Sequence, residues 1–262
     1  MRSRSAVLRA APVAKPYADT RPLSIEEIEV EDPGPGEVLV RIAAAGVCHS
    51  DLSVINGDRT RPLPVALGHE ASGVVAGLGA GVDDLAVGDH VVMSFLPVCG
   101  VCGPCAEGRG ALCEPGHAAN GRGTLLSGAR RFRCEGVPLN HHSGVSAFSE
   151  HTVVSRRSVV KIDRDVPLVE AALFGCAVMT GVGAVVNTCG VRLGESVAVV
   201  GLGGVGLSSV LGAVACGANP IVAIDLSQTK LDAAREIGAT ATLLASDPHV
   251  VEAVRELTGG GV

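Results

Sequence analysis

The sequence predicts two domains of different class: a β-rich unit over residues 1–177, followed by an alternating α/β unit over 178–262. Three observations predict this. Up to about residue 97 the chain is a series of short apolar runs broken by Gly/Pro turns, with no helical repeat. A glycine cluster, Gly201-Leu-Gly-Gly-Val-Gly206, lies between an apolar run and a helix-like stretch. Beyond Ser196, strand-like and helix-like segments alternate, which is the pattern of parallel βα units.

In order, the N-terminal segment reads as a first strand. Arg9 interrupts it before an apolar signal-peptide core can form. Val38–Ala44, Gly73–Ala76 and His90–Met93 are strand-like, and Pro33-Gly34-Pro35-Gly36 is a turn that cannot be helical. Several short strands of this kind suggest a small barrel or sandwich. Pro97–Pro115 is a Cys/Gly/Pro loop, and Glu114–Ser149, rich in Gly and Arg, reads as an irregular surface excursion. Ser149–Ile162 returns to strand character. Glu170–Asn187 reads as a helix leading into the second domain, with the boundary near Ala177.

The α/β unit is then expected as strand Ser196–Val200, helix Val205–Cys216, strand Ile221–Asp225, helix Thr229–Ile237, strand Thr242–Leu244 and helix His249–Leu257. Gly201, Gly203 and Gly206 satisfy the G-x-G-x-x-G spacing. They serve a tight turn, close approach of backbone to a pyrophosphate, and close helix–strand packing, as in a Rossmann dinucleotide fold. Gly204 lies in the turn, and Val205 opens the helix whose free N–H groups and dipole face the phosphates. Asp225, at the end of the second strand, can accept hydrogen bonds from ribose hydroxyls and would repel a 2′-phosphate, so the cofactor expected is NAD. The glycines at 259–261 follow a third βα unit, where a further strand of a doubly wound parallel sheet should begin. The Rossmann domain therefore reads as incomplete and the chain as C-terminally truncated.

Composition narrows the function classes. A hydrophobic share of 47% with 18% charge describes packed domains. A net charge of −6 leaves no basic footprint for nucleic acid. Arg130–Arg133 is read as solvated loop. No apolar run reaches the roughly 18 residues of a membrane span. Nine cysteines, four of them crowded between Cys99 and Cys113, argue for metal ligands in a reducing, cytoplasmic setting rather than for a secreted disulfide framework.

Cys99-x-x-Cys102-x-x-Cys105-x7-Cys113 puts four thiols in one loop of about residues 97–115, spaced by Gly100, Gly103 and Pro104. Four soft sulfurs with no open position suit a structural zinc; two disulfides or four core thiols are the alternatives. A second set, Cys48, His69 and Cys176, is dispersed. Three such ligands leave a fourth position for water or substrate, as a catalytic zinc requires. Dispersed Cys and His are also ordinary core residues, and spacing leaves both readings open.

Taken together, Gly46-Val-Cys-His-Ser-Asp51, Gly68-His-Glu70, the Cys99–Cys113 lobe, Cys176-x3-Thr180-Gly181 and the Gly201–Gly206 turn resemble the zinc-dependent medium-chain alcohol dehydrogenases. The resemblance spans essentially the whole chain. It implies a GroES-like catalytic domain, α+β and built on a β-barrel, followed by a Rossmann domain, with an active site in the cleft between them. It implies two zinc ions per chain: a catalytic one on Cys48, His69 and Cys176, and a structural one on Cys99, Cys102, Cys105 and Cys113.

Other roles come from the same resemblance. Glu70 is the carboxylate near the metal, Asp51 the acid that orients the histidine ligand, and Ser50 the hydroxyl that takes the alcohol proton. His49 faces the pyrophosphate, Thr180 the nicotinamide end and Lys230 the adenosine ribose, while Phe95 lines the substrate pocket. Many relatives continue the proton relay with a histidine three residues after Ser50, where this chain has Ser53. His141 and His142 are unassigned and read as a solvated loop; Cys134, Cys189 and Cys216 read as incidental thiols. The expected reaction is hydride transfer between NAD and an alcohol, or an aldehyde or its hemithioacetal adduct, by a homo-oligomer in the full-length protein. A zinc-free quinone-reductase-type member and a catalytically inactive, zinc-stabilised fragment are the rivals.

Overall fold

The computed structural model describes residues 1–262 and divides into two compact units, Met1–Cys176 and Ala177–Val262. In the first unit, β1 (Arg2–Leu8), β2 (Leu23–Val30), β4 (Val65–Ala66), β7 (Phe132–Cys134) and β8 (Val137–His141) close a barrel in the order β1-β2-β7-β8-β4. A five-stranded antiparallel sheet joins β3 (Glu37–Gly46), β5 (Glu70–Leu78), β6 (His90–Met93), β9 (His151–Ser155) and β10 (Val159–Ile162) in the order β10-β6-β5-β3-β9. Small β-branched and aliphatic side chains fill the sheet core, among them Val38, Val40, Val75, Val91 and Val154. With no Trp and few aromatics, such side chains are what this composition has to pack.

Glu114–Ser149 is not an irregular excursion. Glu114–Arg122 is a helix, and β7 and β8 pair in the barrel with Phe132 opposite Leu139. Both side chains are fully buried. Burying a side chain of the size of Phe132 stabilises by about 1.5–3 kcal/mol. The strands are three and five residues long, too short for a period-2 pattern to stand out from the surrounding Gly and Arg. Nor is Arg130–Arg133 simply solvated. Arg131 Nε bonds Glu37 Oε2 at 2.7 Å and Arg133 Nε bonds Glu31 Oε1 at 2.6 Å. Glu37 is only 1% exposed, so the arginine is the partner its burial requires.

The helix expected over Glu170–Asn187 is broken. Leu168–Ala171 is helical, Ala172–Gly175 tightens to a 3₁₀ turn, and Cys176 takes φ −141°, ψ −73° before Ala177–Gly183 begins. Gly175 lies against the Met93 carbonyl of β6, where a Cβ would clash. That close approach ends the helix and frees Cys176 from it. A six-residue π-helical segment, Ala184–Cys189, follows.

In the second unit β11 (Val197–Val200), β12 (Ile221–Asp225) and β13 (Ala241–Leu244) form a parallel sheet in that order. The helices Gly204–Ala215, Gln228–Glu236 and Val250–Thr258 alternate with the strands. β12 is buried along its whole length, as the central strand of a sheet covered on both faces should be. Val199, Leu202, Val210, Ala213, Ala223 and Leu231 form its core. The fold is a GroES-like domain followed by a partial Rossmann-like domain. No single helix is long and apolar enough to cross a membrane.

Candidate metal centres and cofactor turn

Three breaks in regular structure bring the dispersed ligands together. Cys48 follows β3 and caps the helix His49–Ile55. His69 follows Gly68, whose φ of +89° and contact with the Phe148 backbone exclude a side chain. Cys176 sits in the helix break described above. Cys48 Sγ lies 3.9 Å from Cys176 Sγ, and Cys176 Sγ lies 3.5 Å from His69 Nε2. A tetrahedral zinc with bonds of about 2.3 Å to sulfur and about 2.0 Å to nitrogen would separate two sulfurs by about 3.8 Å and sulfur from nitrogen by about 3.5 Å. The donor set and its spacing fit that ion.

Behind His69, Asp51 is 2% exposed. Its Oδ1 lies 3.1 Å from His69 Nδ1 and accepts the Gly68 N–H at 3.2 Å, while Oδ2 accepts the Cys48 N–H at 3.3 Å. Burial opposes its charge, but His142 and His69 more than offset this and hold the carboxyl well below the usual carboxylate range. Burial likewise disfavours a charged His69, yet Asp51 and Cys176 raise it to about 10. Burial pushes the Cys176 thiol up. For Cys48 burial is outweighed by the Ser50 backbone N–H and hydroxyl, which lower it. A carboxylate fixing one histidine nitrogen so that the other faces two sulfurs is the arrangement by which proteins orient a metal-binding imidazole.

Around this core Ser50 and Ser53 are half-buried, His49 is exposed and Glu70 is buried, with its carboxyl directly beneath Gly46. The half-buried Phe95 meets the His69 ring edge-on at 6.0 Å.

Cys99, Cys102, Cys105 and Cys113 are free thiols whose sulfurs all lie within 4.8 Å of one another. Backbone N–H groups point at two of them. Cys99 Sγ accepts from Cys102 at 3.3 Å, and Cys113 Sγ accepts from Cys99 at 3.2 Å and Gly116 at 3.4 Å. The N–H groups of Val101 and Cys102 lower the Cys99 thiol to about 6, whereas burial and the neighbouring thiols push Cys105 up to about 11. Four converging sulfurs with N–H donors turned toward them suit a closed tetrahedral thiolate site.

In the second unit Gly201 has φ +88°, and a Cβ on Gly206 would run into the Gly201 carbonyl. Asp225 helps to hold the turn: Oδ2 accepts the Leu202 N–H at 2.7 Å and Oδ1 the Ser227 N–H at 2.9 Å. These N–H groups hold its carboxyl below the usual range. Lys230 Nζ is 3.6 Å away. Gly203, Gly204, Val205 and Thr180 are exposed.

The reading of His141 and His142 as solvated loop is wrong. His141 stacks on Phe132 with ring centroids 4.5 Å apart, and burial pushes it down to about 3. His142 is 0% exposed, with Nδ1 3.2 Å from Asp51 Oδ1. The one available signal was alternation along β8, which turns Leu139 and His141 to the same face.

A GroES-like unit with two clusters of metal-ligating side-chain type, followed by a Rossmann-like unit with a dinucleotide-type glycine turn, is the class these features define. The family model described as alcohol dehydrogenase GroES-like domain matches residues 34–164, and that described as zinc-binding dehydrogenase matches 204–262. An alcohol dehydrogenase zinc-binding domain protein from Burkholderia ambifaria is 39% identical over 100% of this chain and 69% of its own, with a TM-score of 0.92. Benzyl alcohol dehydrogenase from Acinetobacter calcoaceticus is 33% identical over 100% of this chain and 69% of its own, at a TM-score of 0.89. A chain from Sinorhizobium meliloti 1021, assigned to the zinc-binding dehydrogenases and bound to NADP, is 28% identical over 97% of this chain and 65% of its own, at 0.75. The chain belongs to the zinc-binding alcohol dehydrogenase family of medium-chain dehydrogenases.

Proposed function

We propose that this chain carries the machinery of an NAD-dependent zinc alcohol dehydrogenase, interconverting a small alcohol and its aldehyde or ketone. The observation that carries this reading is the convergence of Cys48, His69 and Cys176 in front of the buried Asp51. A zinc held there supplies Lewis acidity toward an alcohol oxygen, and a bound nicotinamide is the hydride acceptor. The chain's own residues do the rest. Asp51 fixes the tautomer and direction of His69. Ser50 relays the alcohol proton, accepting it while giving up its own; because Ser53 stands where many relatives have a relay histidine, that proton leaves through water or cofactor hydroxyls rather than through an imidazole. Glu70 supplies a second carboxylate close to the ligand set, and Phe95 forms an apolar wall beside it. Cys99, Cys102, Cys105 and Cys113 hold a second, structural zinc that fixes the lobe and takes no part in the chemistry.

Gly201, Gly203 and Gly206, with Gly204 and Val205 at the helix start, cradle the pyrophosphate, and His49 keeps the pyrophosphate role that the family resemblance gives it. Thr180 faces the nicotinamide end and Lys230 the adenosine ribose. Asp225 is the basis for NAD over NADP: its carboxylate has capacity beyond the Leu202 and Ser227 N–H groups for ribose hydroxyls, and its charge opposes a 2′-phosphate. A similar chain binds NADP, so the preference for NAD rests on Asp225. Nine free thiols suit a reducing compartment, the cytoplasm. The full-length protein is expected to be a homo-oligomer.

Reduced-cofactor formation across a panel of aliphatic and aryl alcohols tests the reading. The expected result is NAD-dependent turnover in the parent and its loss in Cys48→Ala. Full activity in that variant would overturn the assigned site.

A further inference from the structure

His142 has no place in the function proposed above, yet it is among the most buried polar side chains of the molecule. It is 0% exposed, and neither ring nitrogen has a well-aligned hydrogen-bond partner. An apolar side chain would fill this space without the cost of desolvating an imidazole, so the residue type needs a reason. Its backbone is pinned. The His142 N–H donates to Ser146 Oγ at 2.8 Å, and its carbonyl accepts the N–H groups of Val145 at 3.0 Å and Ser146 at 3.1 Å. The turn that does this holds Ser143 at φ +54° and Ser146 at φ +52°, a conformation that non-glycine residues keep only where the surroundings impose it.

One oxygen lies close to the ring. His142 Nδ1 lies 3.2 Å from Asp51 Oδ1, the atom that also faces His69 Nδ1 at 3.1 Å. The two imidazoles stand edge-to-face with centroids 5.4 Å apart. The other groups on this carboxylate, the N–H groups of Cys48 and Gly68 and the His69 ring, all belong to the segments that carry the metal ligands themselves. His142 approaches from the end of β8, a barrel strand. The proximity of the carboxylate selects the tautomer with the proton on Nδ1, since the other would set a lone pair against Oδ1.

We propose that His142 is a positioning residue of the metal centre. It is a second imidazole donor to Asp51 Oδ1, and it ties the carboxylate that orients His69 to the barrel rather than only to the ligand loops. The inference rests on the reading of Cys48, His69 and Cys176 as a metal site. Without His142 the carboxylate is freer to swing, His69 Nε2 is less firmly held toward the two sulfurs, and the metal is bound less tightly.

The test is titration of Co²⁺ alone into the metal-free full chain, followed by the thiolate-to-cobalt absorption, with Cys48→Ser as the blank that isolates the lobe. His142→Leu and His142→Gln, which lack a donor at the Nδ1 position, should each weaken Cys48-dependent binding by about tenfold and shift the cobalt bands. His142→Asn, whose amide N–H falls near that position, should restore most of the affinity and the parent spectrum. Should His142→Leu fail to fold, the Gln and Asn pair decides. Parent affinity and bands in Gln, or an Asn variant no better than Gln, would overturn the assignment of His142 alone. A parent with no Cys48-dependent cobalt signal would overturn it together with the metal site on which it rests.

Discussion

Asp51 and Asp225 do similar work in the two units: each is an acid that holds backbone N–H groups while offering its remaining lone pairs to chemistry. Asp51 takes the N–H groups of Cys48 and Gly68 and faces His69. Asp225 takes those of Leu202 and Ser227. Replacing Asp225 therefore affects two properties. Asp225→Ser should raise the Kd for NAD at least tenfold, since a hydrogen bond to a charged group contributes about 1.5–3 kcal/mol, while NADP binding improves. Calorimetric titration with both cofactors checks this, and an unchanged NAD/NADP ratio would remove Asp225 from the specificity argument. Because the Leu202 N–H also loses its acceptor, the variant should melt at a lower temperature than the parent in the absence of any cofactor.

At the scale of elements, the barrel depends on strands the sequence barely marks. Phe132→Ala on β7 should cost about 3–5 kcal/mol, because the side chain is fully buried and paired across the strands with Leu139. Denaturant unfolding measures it, and a loss below about 1 kcal/mol would mean that β7 is not part of the core. The ion pairs on the barrel strands give its stability a pH signature. The Arg9 hydrogen bond holds Glu26, and Arg133 holds Glu31, below the ordinary 4.5. The unfolded chain then binds protons more readily, so this stabilisation is complete above pH 4.5 and is lost as the pH falls through the lower native values. Glu26→Gln with Glu31→Gln should flatten that acid limb in melting curves collected from pH 6 to 3, and an equally steep limb would reject the assignment.

Legibility in the sequence followed the length of each pattern. β6 and β12 lie where the apolar runs indicated, and the other strands and helices of the second unit fall within a residue or so of expectation, because alternating βα segments are long enough for their period to show. β7 and β8 were hidden among glycines and arginines whose partners, Glu31 and Glu37, lie about a hundred residues away in the chain. The break at Cys176 was hidden for a similar reason, since it depends on Gly175 meeting the β6 backbone. Among the candidate site residues, Cys48, His69, Asp51 and Cys176 were legible through the family resemblance of their motifs, spacing alone leaving them open. His142 was not, because its meaning comes from a carboxylate that only the fold brings to it.

At the scale of the whole molecule, the two units carry different features of the family. The first gathers seven Cys and His side chains of metal-ligating type into two separate sets, and the second holds the glycine turn and its acid. The closed four-cysteine lobe should matter for folding rather than for chemistry. Cys102→Ser with Cys105→Ser should leave a chain that is more readily cleaved by protease within residues 97–115, while the Cys48 set still binds metal. Protease mapping read beside metal content checks this, and an unaltered cleavage pattern would show that the lobe needs no ion.

The central claim is that Cys48, His69 and Cys176 form a zinc site distinct from the lobe, and metal stoichiometry tests it most directly. Purified chain dialysed against metal-free buffer should retain two zinc ions per chain by mass spectrometric elemental analysis, and Cys48→Ser should retain one. One zinc in the parent, or two in Cys48→Ser, would contradict the account.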